Sequence, residues 1–339
     1  MRRNIPYGGK KMRRSLITML AFLLLVMGAA GKEGQAAESY PVKPIMLIVP
    51  LEAGSDGDIL ARPLSEKLSA ALGQPVMVVN KPGAGSSIGF RETHDAKPDG
   101  YTIGMATVAL ITNKLQGLLP YDYADYTIIG AYYYLNSIIV GSTKTKRPFK
   151  TIQEVFSFAK ANPGEVSIAT GSVGQAIWVT TMIFADGTGL NFNIIPQAGA
   201  GGLSVAQAAG GHTDLAILNY AAAKPQIDAG NIRFLATLGG KRFFPPHDKV
   251  PTIKELGYDV SLESVAIIIG PPKMPKDIAN KLTKALEAAA NHPEVKKFYA
   301  ERYIVPFYLP PDQTVAYYDK QKVLFRKVMD KAGILKEKQ

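Results

Sequence analysis

Residues 45–90 read IMLIVPLEAGSDGDILARPLSEKLSAALGQPVMVVNKPGAGSSIGF, and the order of patterns in this stretch determines the fold class. The apolar runs Ile45–Val49 and Val76–Val79 are rich in branched residues and predict two buried strands. Between them, leucines recur every four residues from Leu60 to Leu72, which is the spacing of one face of a helix. Strand, helix and strand in this order predict an α/β fold with largely parallel sheets.

The same alternation continues along the rest of the chain. Further predicted strands are "YTIGMA", "SIIVGS" and "VAIIIG", at 101–106, 137–142 and 265–270. Capping boxes at Thr151–Glu154 and Thr252–Glu255 predict helix starts, and two basic amphipathic helices are predicted at 276–291 and 311–332. The length of 339 residues indicates two lobes, because single cores stop growing near ~250–300 residues.

The N-terminus has the pattern of a secretory signal peptide. The basic stretch "MRRNIPYGGKKMRR" precedes the apolar run "LITMLAFLLLVMGAA", and the small residues of "GQAAES" follow. The apolar run is shorter than the ~20 residues that span a bilayer. We therefore expect residues 1–37 to be cleaved after Ala37 and the mature protein to reside in the periplasm.

Charge and cysteine content exclude several classes of site and partner. Loss of the net +6 of residues 1–37 lowers the formal charge from +11 to +5, which favours small anions as partners. No downstream block of Lys and Arg interleaved with aromatics is present, so no nucleic-acid partner is expected. The chain has no cysteine, which excludes disulfides, thiolate metal sites and a lipid anchor on an N-terminal cysteine.

Four small-residue turns follow predicted strands and precede predicted helices. They are "PLEAGSDGD", "NKPGAGSS", "ATGSVGQ" and "PQAGAGG", at 50–58, 80–87, 169–175 and 196–202. Ligands of open α/β sheets bind outside the carboxyl ends of the strands, and a helix N-terminus there offers free N–H groups to an anion. Several such turns in both predicted lobes indicate a small anionic ligand between the lobes.

Catalytic and cofactor sites have little support. Gly85–Gly89 fits the serine-hydrolase pattern G-x-S-x-G, but the four histidines lie in turns and loops that do not suggest a triad with Ser87. The spacing G-x-G-x-x-x-G departs from the dinucleotide pattern, and no P-loop or metal-binding motif is present. We expect no enzyme activity, no cofactor and no metal.

Two features have ordinary structural interpretations. Asp58 and Arg62 are spaced i, i+4 and predict an ion pair on one helix. Trp178 favours core packing, although it lies one turn into a predicted helix from which a side chain can reach the cleft.

Nearly the whole mature chain resembles the substrate-binding receptors of the tripartite tricarboxylate transporters, the Bug family. The resemblance rests on "GQPV…NKPGAG…IG" followed by "PDGYT", and on "LPYDYADYTIIG", "VPTIKELGYD" and "PEVKKFYAERYIVP". It implies that "NKPGAGSSIGF" is a strand-to-helix turn of the family, whose serines cap a helix rather than attack a carbonyl.

The resemblance also implies a two-lobed, type II periplasmic-binding-protein fold, with mainly parallel sheets flanked by helices. "SIIVGS" and "VAIIIG" would be the two crossover strands, which gives lobe 1 as 38–141 and 266–339, and lobe 2 as 142–265. Such receptors capture a small carboxylate and deliver it to membrane permease subunits, and we expect a monomer. The candidate ligand-binding residues are Gly54, Ser55, Thr107, Gly171, Ser172, Val173, Gln175, Trp178, Gln197, Gly199, Ala200, Gly201 and Asp214.

The sequence departs from the family pattern where the ligand is expected. In the loop that here contains Gly174, Gln175 and Trp178, the family often has Gly-Ser/Thr followed by His. At positions 197–199 the family often has Tyr-Lys-Gly. Ser55 replaces a Gly that is common in the family. These changes point to a more apolar or aromatic acid and leave the particular ligand open. Two alternatives also stay open: a solute sensor that feeds a signalling kinase, and an exported serine hydrolase.

Overall fold

The structure is a computed structural model that describes residues 1, 40–197, 202–260 and 262–337. Residues 2–37 of the predicted signal peptide and the candidate binding residues Gly199, Ala200 and Gly201 lie outside the described residues. All the elements below belong to one compact unit, residues 43–339. Among the described helices, none has the length and apolar character needed to cross a bilayer.

The described residues form ten strands and ten α-helices. The strands are β1 (Ile45–Val49), β2 (Val76–Asn80), β3 (Thr102–Ala106), β4 (Thr127–Ser142), β5 (Ser167–Thr170), β6 (Asn193–Pro196), β7 (Leu215–Asn219), β8 (Ile232–Thr237), β9 (Glu263–Gly270) and β10 (Val305–Leu309). The helices are α1 (Asp56–Leu72), α2 (Ser87–His94), α3 (Ala109–Leu115), α4 (Ile152–Ala161), α5 (Ala176–Thr188), α6 (Gly202–Ala209), α7 (Tyr220–Asp228), α8 (Lys276–Ala290), α9 (Pro293–Ala300) and α10 (Pro311–Lys331).

The strands join one mixed sheet in the order β2-β1-β3-β9-β4-β7-β5-β6, with β8 and β10 also paired to β4. β1 is parallel to β2 and β3, and β5 is parallel to β6 and β7. Every pair that includes β4 or β9 is antiparallel. The α/β prediction is confirmed, and the predicted parallel pairing holds for the outer strands rather than for the two central ones.

Strand β4 belongs to both halves of the sheet. Its residues 127–136 pair with β9, and its residues 137–142 pair with β7 and β8. The segments predicted as crossovers, 137–142 and 265–270, therefore lie within β4 and β9. The predicted lobe limits, 38–141 with 266–339 and 142–265, stay a prediction.

The register directs the carboxyl ends of parallel strands toward the middle of β4. On one side β3 ends at Ala106, opposite Ile267, and runs toward the start of β9, where Glu263 is opposite Asn136. On the other side β7 ends at Asn219, which is opposite Ser137. The strand ends that usually carry ligand sites in α/β sheets therefore meet at one place.

Both predicted capping motifs form, but only the first lies at the start of an α-helix. Thr151 caps α4, with its hydroxyl accepting from the N–H of Glu154 at 3.2 Å. Thr252 and Glu255 form a reciprocal box, with each backbone N–H donating to the other side chain. The second box lies at the short 3-10 turn Lys254–Leu256 rather than at the start of an α-helix.

Helices from the two halves of the sheet pack against each other. Val179 of α5 and Phe325 of α10 belong to one hydrophobic cluster. On the surface, Asp186 of α5 accepts ion pairs from Lys327 and Lys331 of α10 at 2.8 and 2.9 Å. These lysines lower the pKa of Asp186.

Candidate ligand-binding site

A cavity of about 70 Å³ lies where the two halves of the sheet meet. Its polar lining comes from Ser137 on β4, Thr180 on α5, Asn219 at the end of β7, Glu263 and Ser264 on β9, and Gln321 on α10. Ile177 of α5 contributes to the apolar part, and none of the lining residues is Lys or Arg. The cavity therefore has polar walls without a basic side chain.

A wider groove of about 590 Å³ shares Leu262, Glu263 and Gln321 with this cavity. Lys320 and Lys327 of α10 line the groove. Lys254 also lines the groove, and so do the acids Asp186, Asp259 and Glu263. The charges of the lining side chains therefore balance beside the enclosed cavity.

The loop that joins β5 to α5 brings several predicted site residues together. It contains Gly171, Ser172, Val173 and Gln175. The hydroxyl of Ser172 donates to the carbonyl oxygen of Gln197 at 3.1 Å, which connects this loop to the end of β6. Gln175 occupies the N-cap position without a side-chain capping bond, and Ala176 and Ile177 of the first turn line the cavity. The first N–H groups of a helix have no acceptor within it, so this turn can bind an anion.

Gly174 connects the same loop to the other half of the molecule. Its carbonyl oxygen accepts from Nε2 of Gln116, which follows α3, at 2.9 Å. Its φ of 79° lies in the left-handed region, and a Cβ at this position would be 2.3 Å from Oε1 of Gln116. The close approach across the cleft therefore requires glycine.

Trp178 belongs to the core. Its side chain is only 5% exposed and packs in the large hydrophobic cluster. Ile177 and Thr180, its neighbours on α5, line the cavity instead. The core interpretation of Trp178 agrees with this placement, so its side chain offers no support for an aromatic ligand.

The loop that joins β1 to α1 uses its polar groups internally. The N–H of Gly54 donates to Oδ2 of Asp58 at 2.9 Å. The hydroxyl of Ser55 accepts from the N–H of Asp58 at 3.4 Å and caps α1. Neither residue lines the cavity. The predicted roles of Gly54 and Ser55 in ligand binding gain no support from this geometry.

Asp58 is the centre of that loop's hydrogen-bond network. Arg62 donates to both carboxylate oxygens at 2.8 and 3.1 Å, which confirms the predicted i, i+4 pair, and Nδ2 of Asn80 donates at 3.0 Å. Burial alone would raise the pKa of Asp58, but the bonds from Gly54, Arg62 and Asn80 outweigh burial and lower it. The carboxylate is thus held charged as a structural acceptor.

Thr107 lies at the edge of the site. Its hydroxyl accepts from the N–H of Ala109 at 3.3 Å, and its carbonyl oxygen accepts from the N–H of Leu110 at 2.9 Å. Val108, the next residue, lines the cavity. The turn after β3 therefore contributes to the site through Val108 rather than through the predicted residue Thr107.

Asp214 lies away from the other candidate residues. Its carboxylate accepts from the N–H and hydroxyl of Ser167 at 3.0 and 2.9 Å and from Arg147 at 3.1 Å. Ser167 begins β5 and Asp214 precedes β7, so both mark the amino ends of parallel strands. At about 3.3 Å per residue, the length of β7 separates Asp214 from the cavity by roughly 15 Å. Its contacts give it a structural role.

The turn "NKPGAGSSIGF" forms a structural corner. Ser87 is buried, and Nδ2 of Asn113 donates to its hydroxyl at 3.1 Å and to the carbonyl oxygen of Gly85 at 2.7 Å. Ser86 occupies the N-cap position of α2 with φ of 80°, but its side chain makes no capping bond. The expectation that the serines of this turn cap the helix through their side chains is corrected accordingly.

None of the described histidines lines the cavity. His94 stacks on Tyr121, and Nε2 of His247 lies 2.8 Å from the hydroxyl of Tyr220. Over the described ranges, His, Asp and Glu form no cluster of three or more that could hold a metal ion. The cavity itself contains a single titratable side chain, Glu263.

Sequence reasoning missed Ser137, Asn219, Glu263 and Gln321. Asn219 lies at a junction of the same kind as the four turns considered, because it ends β7 and α7 begins at the next residue. Ser137 lies inside the long strand β4, Glu263 is the first residue of β9, and Gln321 lies within a helix. No local pattern marks residues in such positions.

Comparison with known proteins identifies the relatives of this chain. The family model for the tripartite tricarboxylate transporter family receptor matches residues 60–334. BugT from Bordetella pertussis is 31% identical over 312 residues, which cover 88% of this chain and 93% of BugT.

Solved structures give the same result. A solute-binding protein from Polaromonas superposes with a TM-score of 0.77 and 26% identity, covering 86% of this chain and all of that one. An R. palustris protein solved with adipate gives a TM-score of 0.72 at 26% identity, covering 87% of this chain and 99% of that one. These neighbours have the two-lobed fold of periplasmic solute-binding proteins and are not enzymes, as the sequence predicted. The chain therefore belongs to the tripartite tricarboxylate transporter receptor family, whose members are periplasmic solute-binding proteins.

Proposed function

We propose that this chain is an exported receptor that captures one small carboxylated organic acid between its two lobes and delivers it to the permease subunits of a tripartite transporter. The observation that carries the proposal is the cavity at the middle of β4, where strand ends of both halves meet beside the first turn of α5. The adipate in the R. palustris relative supports a carboxylate as the ligand.

The ligand's charge would be held without a salt bridge. The cavity and the loop 171–175 contain no Lys or Arg, so backbone amides of α5 and nearby hydroxyls are the available donors. A hydrogen bond to a charged group contributes roughly 1.5–3 kcal/mol. Micromolar binding corresponds to about −8 kcal/mol, so a few such bonds and apolar contact with Ile177 suffice.

Capture would require the lobes to separate and close. The cavity of about 70 Å³ is smaller than the ~300–1,000 Å³ of typical small-molecule sites, so a ligand enters only when the halves move apart. The stretch of β4 around Asn136 and Ser137 joins the halves and is the natural hinge. Closure on a ligand should therefore reduce the radius of gyration relative to an open, unliganded population.

A thermal-shift screen of residues 38–339 against aliphatic and aromatic organic acids tests the proposal. A ligand that binds only the folded state raises the melting temperature, and its methyl ester should not, because the amides would then face a neutral group. Small-angle scattering with the best acid should show compaction. If no acid in the panel stabilises the protein, carboxylate capture is wrong.

Export and delivery need separate measurements. Intact mass of protein from a periplasmic fraction should equal that of a monomeric chain beginning at Glu38, and a full-length mass in the membrane fraction would contradict cleavage. Uptake of the identified acid should be lost in cells that lack this receptor and regained on complementation. Unchanged uptake would contradict delivery while leaving binding intact.

A further inference from the structure

The side-chain amide of Gln321 has a fixed orientation. The hydroxyl of Tyr317 donates to the carbonyl oxygen of Glu263 at 2.7 Å. A phenol has one proton, so the oxygen of Tyr317 acts as acceptor toward the amide of Gln321 at 3.2 Å. Burial, followed by the charge of Glu263, raises the pKa of Tyr317, which keeps that proton in place. Nε2 of Gln321 therefore faces Tyr317, and Oε1 is on the other side of the amide.

That oxygen has no partner. Gln321 is 4% exposed, and its Oε1 is buried without a hydrogen bond among the described residues. Oδ1 of Asn219 is also buried and unpaired, and both residues line the cavity at the middle of β4. Two unpaired acceptors in one cavity are unusual, because buried polar groups are almost always hydrogen-bonded. Hydrogen-bond donors of a ligand in the cavity would compensate the desolvation of these oxygens.

We infer that the ligand carries a hydrogen-bond donor, a hydroxyl or amino group, that donates to Oε1 of Gln321 while its carboxylate lies at the first turn of α5; the second N–H of an amino group can donate to Asn219. This inference rests on the proposed function and narrows its substrate class. A cavity of about 70 Å³ has room for one such small group together with the atoms that attach it. A second carboxylate in this place would face two acceptor oxygens and the carboxylate of Glu263. Hydroxy and amino monocarboxylates are therefore favoured over simple dicarboxylates.

Calorimetric titration with two matched series at pH 7.5 tests the inference. The aliphatic series is pentanoate, 4-hydroxybutanoate and 4-aminobutanoate, and the aromatic series is benzoate, 4-hydroxybenzoate and 4-aminobenzoate; adipate is the dicarboxylate. In at least one series, a donor-bearing acid should bind about tenfold or more tightly than its donor-free member and than adipate. The hydroxyl and amine members distinguish a neutral donor from a charged one in the aliphatic series.

Gln321→Met keeps the side-chain length and removes the acceptor, so it should reduce the preference for the hydroxy acids to about one while donor-free acids bind as before. Gln313→Leu is the matched control, because Gln313 is an exposed glutamine in the first turn of the same helix. Thermal unfolding of both variants establishes that they fold.

The outcomes separate this inference from the proposed function. Binding of adipate or a donor-free acid as tight as that of the donor-bearing acids overturns the inference and leaves carboxylate capture standing. A preference that persists in Gln321→Met also overturns it. If none of the seven acids binds the wild type, this inference is wrong, and carboxylate capture is wrong as well if the wider acid screen is equally negative.

Discussion

The loops Pro50–Asp58 and Ala169–Gln175 each follow a parallel strand and precede a helix, yet their polar groups have different partners. In the first loop, the N–H of Gly54 and the hydroxyl of Ser55 are engaged within the loop and the start of α1. In the second, the N-cap residue Gln175 makes no side-chain capping bond, and the turn after it lines the cavity. Both loops are rich in small residues and lack Lys and Arg.

The difference lies in one carboxylate. Asp58 accepts from Gly54, Arg62 and Asn80, so a carboxylate of the protein takes up the N–H of Gly54 ahead of α1. No acidic residue is present between Ala169 and Gln175. In this chain, the first loop therefore contains its own hydrogen-bonded anion and the second does not.

Removal of that internal anion should have the largest effect. Asp58→Ala abolishes the hydrogen bonds to Gly54, Arg62 and Asn80, and we expect a loss of roughly 2–4 kcal/mol in the free energy of unfolding. Denaturant unfolding measures this loss. Asp56→Ala is the matched control, because Asp56 is an exposed acid in the same helical turn. If Asp58→Ala is as stable as the control, the network does not hold the loop.

Gly174→Ala should affect ligand binding more than stability. The added Cβ would meet Gln116 at 2.3 Å, and the left-handed φ costs about 1–2 kcal/mol in addition. We expect about tenfold weaker binding of the best acid by calorimetry. Gly189→Ala is the control, because Gly189 has a φ of 65° and nothing within 4 Å of an added Cβ. Equal affinities of the two variants would contradict a role of the Gly174 contact in closure.

Substitution of Ser172 should mainly lower ligand affinity, and substitution of Ser55 should mainly lower the stability of the fold. Ser172→Ala loses the bond to Gln197, which links two loops of the site, and should weaken binding roughly three- to tenfold, the value of one hydrogen bond. Ser55→Ala loses the cap of α1 and should lower stability by about 0.5–2 kcal/mol with unchanged affinity. The opposite result would place the ligand at the first loop.

The smallest effect should come from pH. The pKa of Asp58 is lowered from 3.8, so its contribution to stability is fully present above that value. It is lost as the pH falls below 3.8 through the lowered pKa, where the folded carboxyl also takes up a proton. The stability difference between wild type and Asp58→Asn should therefore decrease below about pH 3.8. A difference that stays constant down to pH 2 would show that the charge of Asp58 is not what matters.

The sequence by itself determined the features that depend on neighbours within about four residues. The strand and helix alternation, the Asp58–Arg62 pair and the cap at Thr151 all occur as predicted. The closing helices at Lys276–Ala290 and Pro311–Lys331 end within one residue of their predicted limits. These features are local because helix periodicity and capping bonds join residues three or four apart.

Only the tertiary structure decided which residues meet in the cavity. Asn219 and Gln321 lie in different elements far apart along the chain, and they meet because β7 pairs with one half of β4 while α10 packs against α5. The same register places Asp214 at the opposite end of β7. Strand pairing and helix packing bring distant segments together, so the unpaired oxygens that now indicate a ligand donor have no signature in the local sequence.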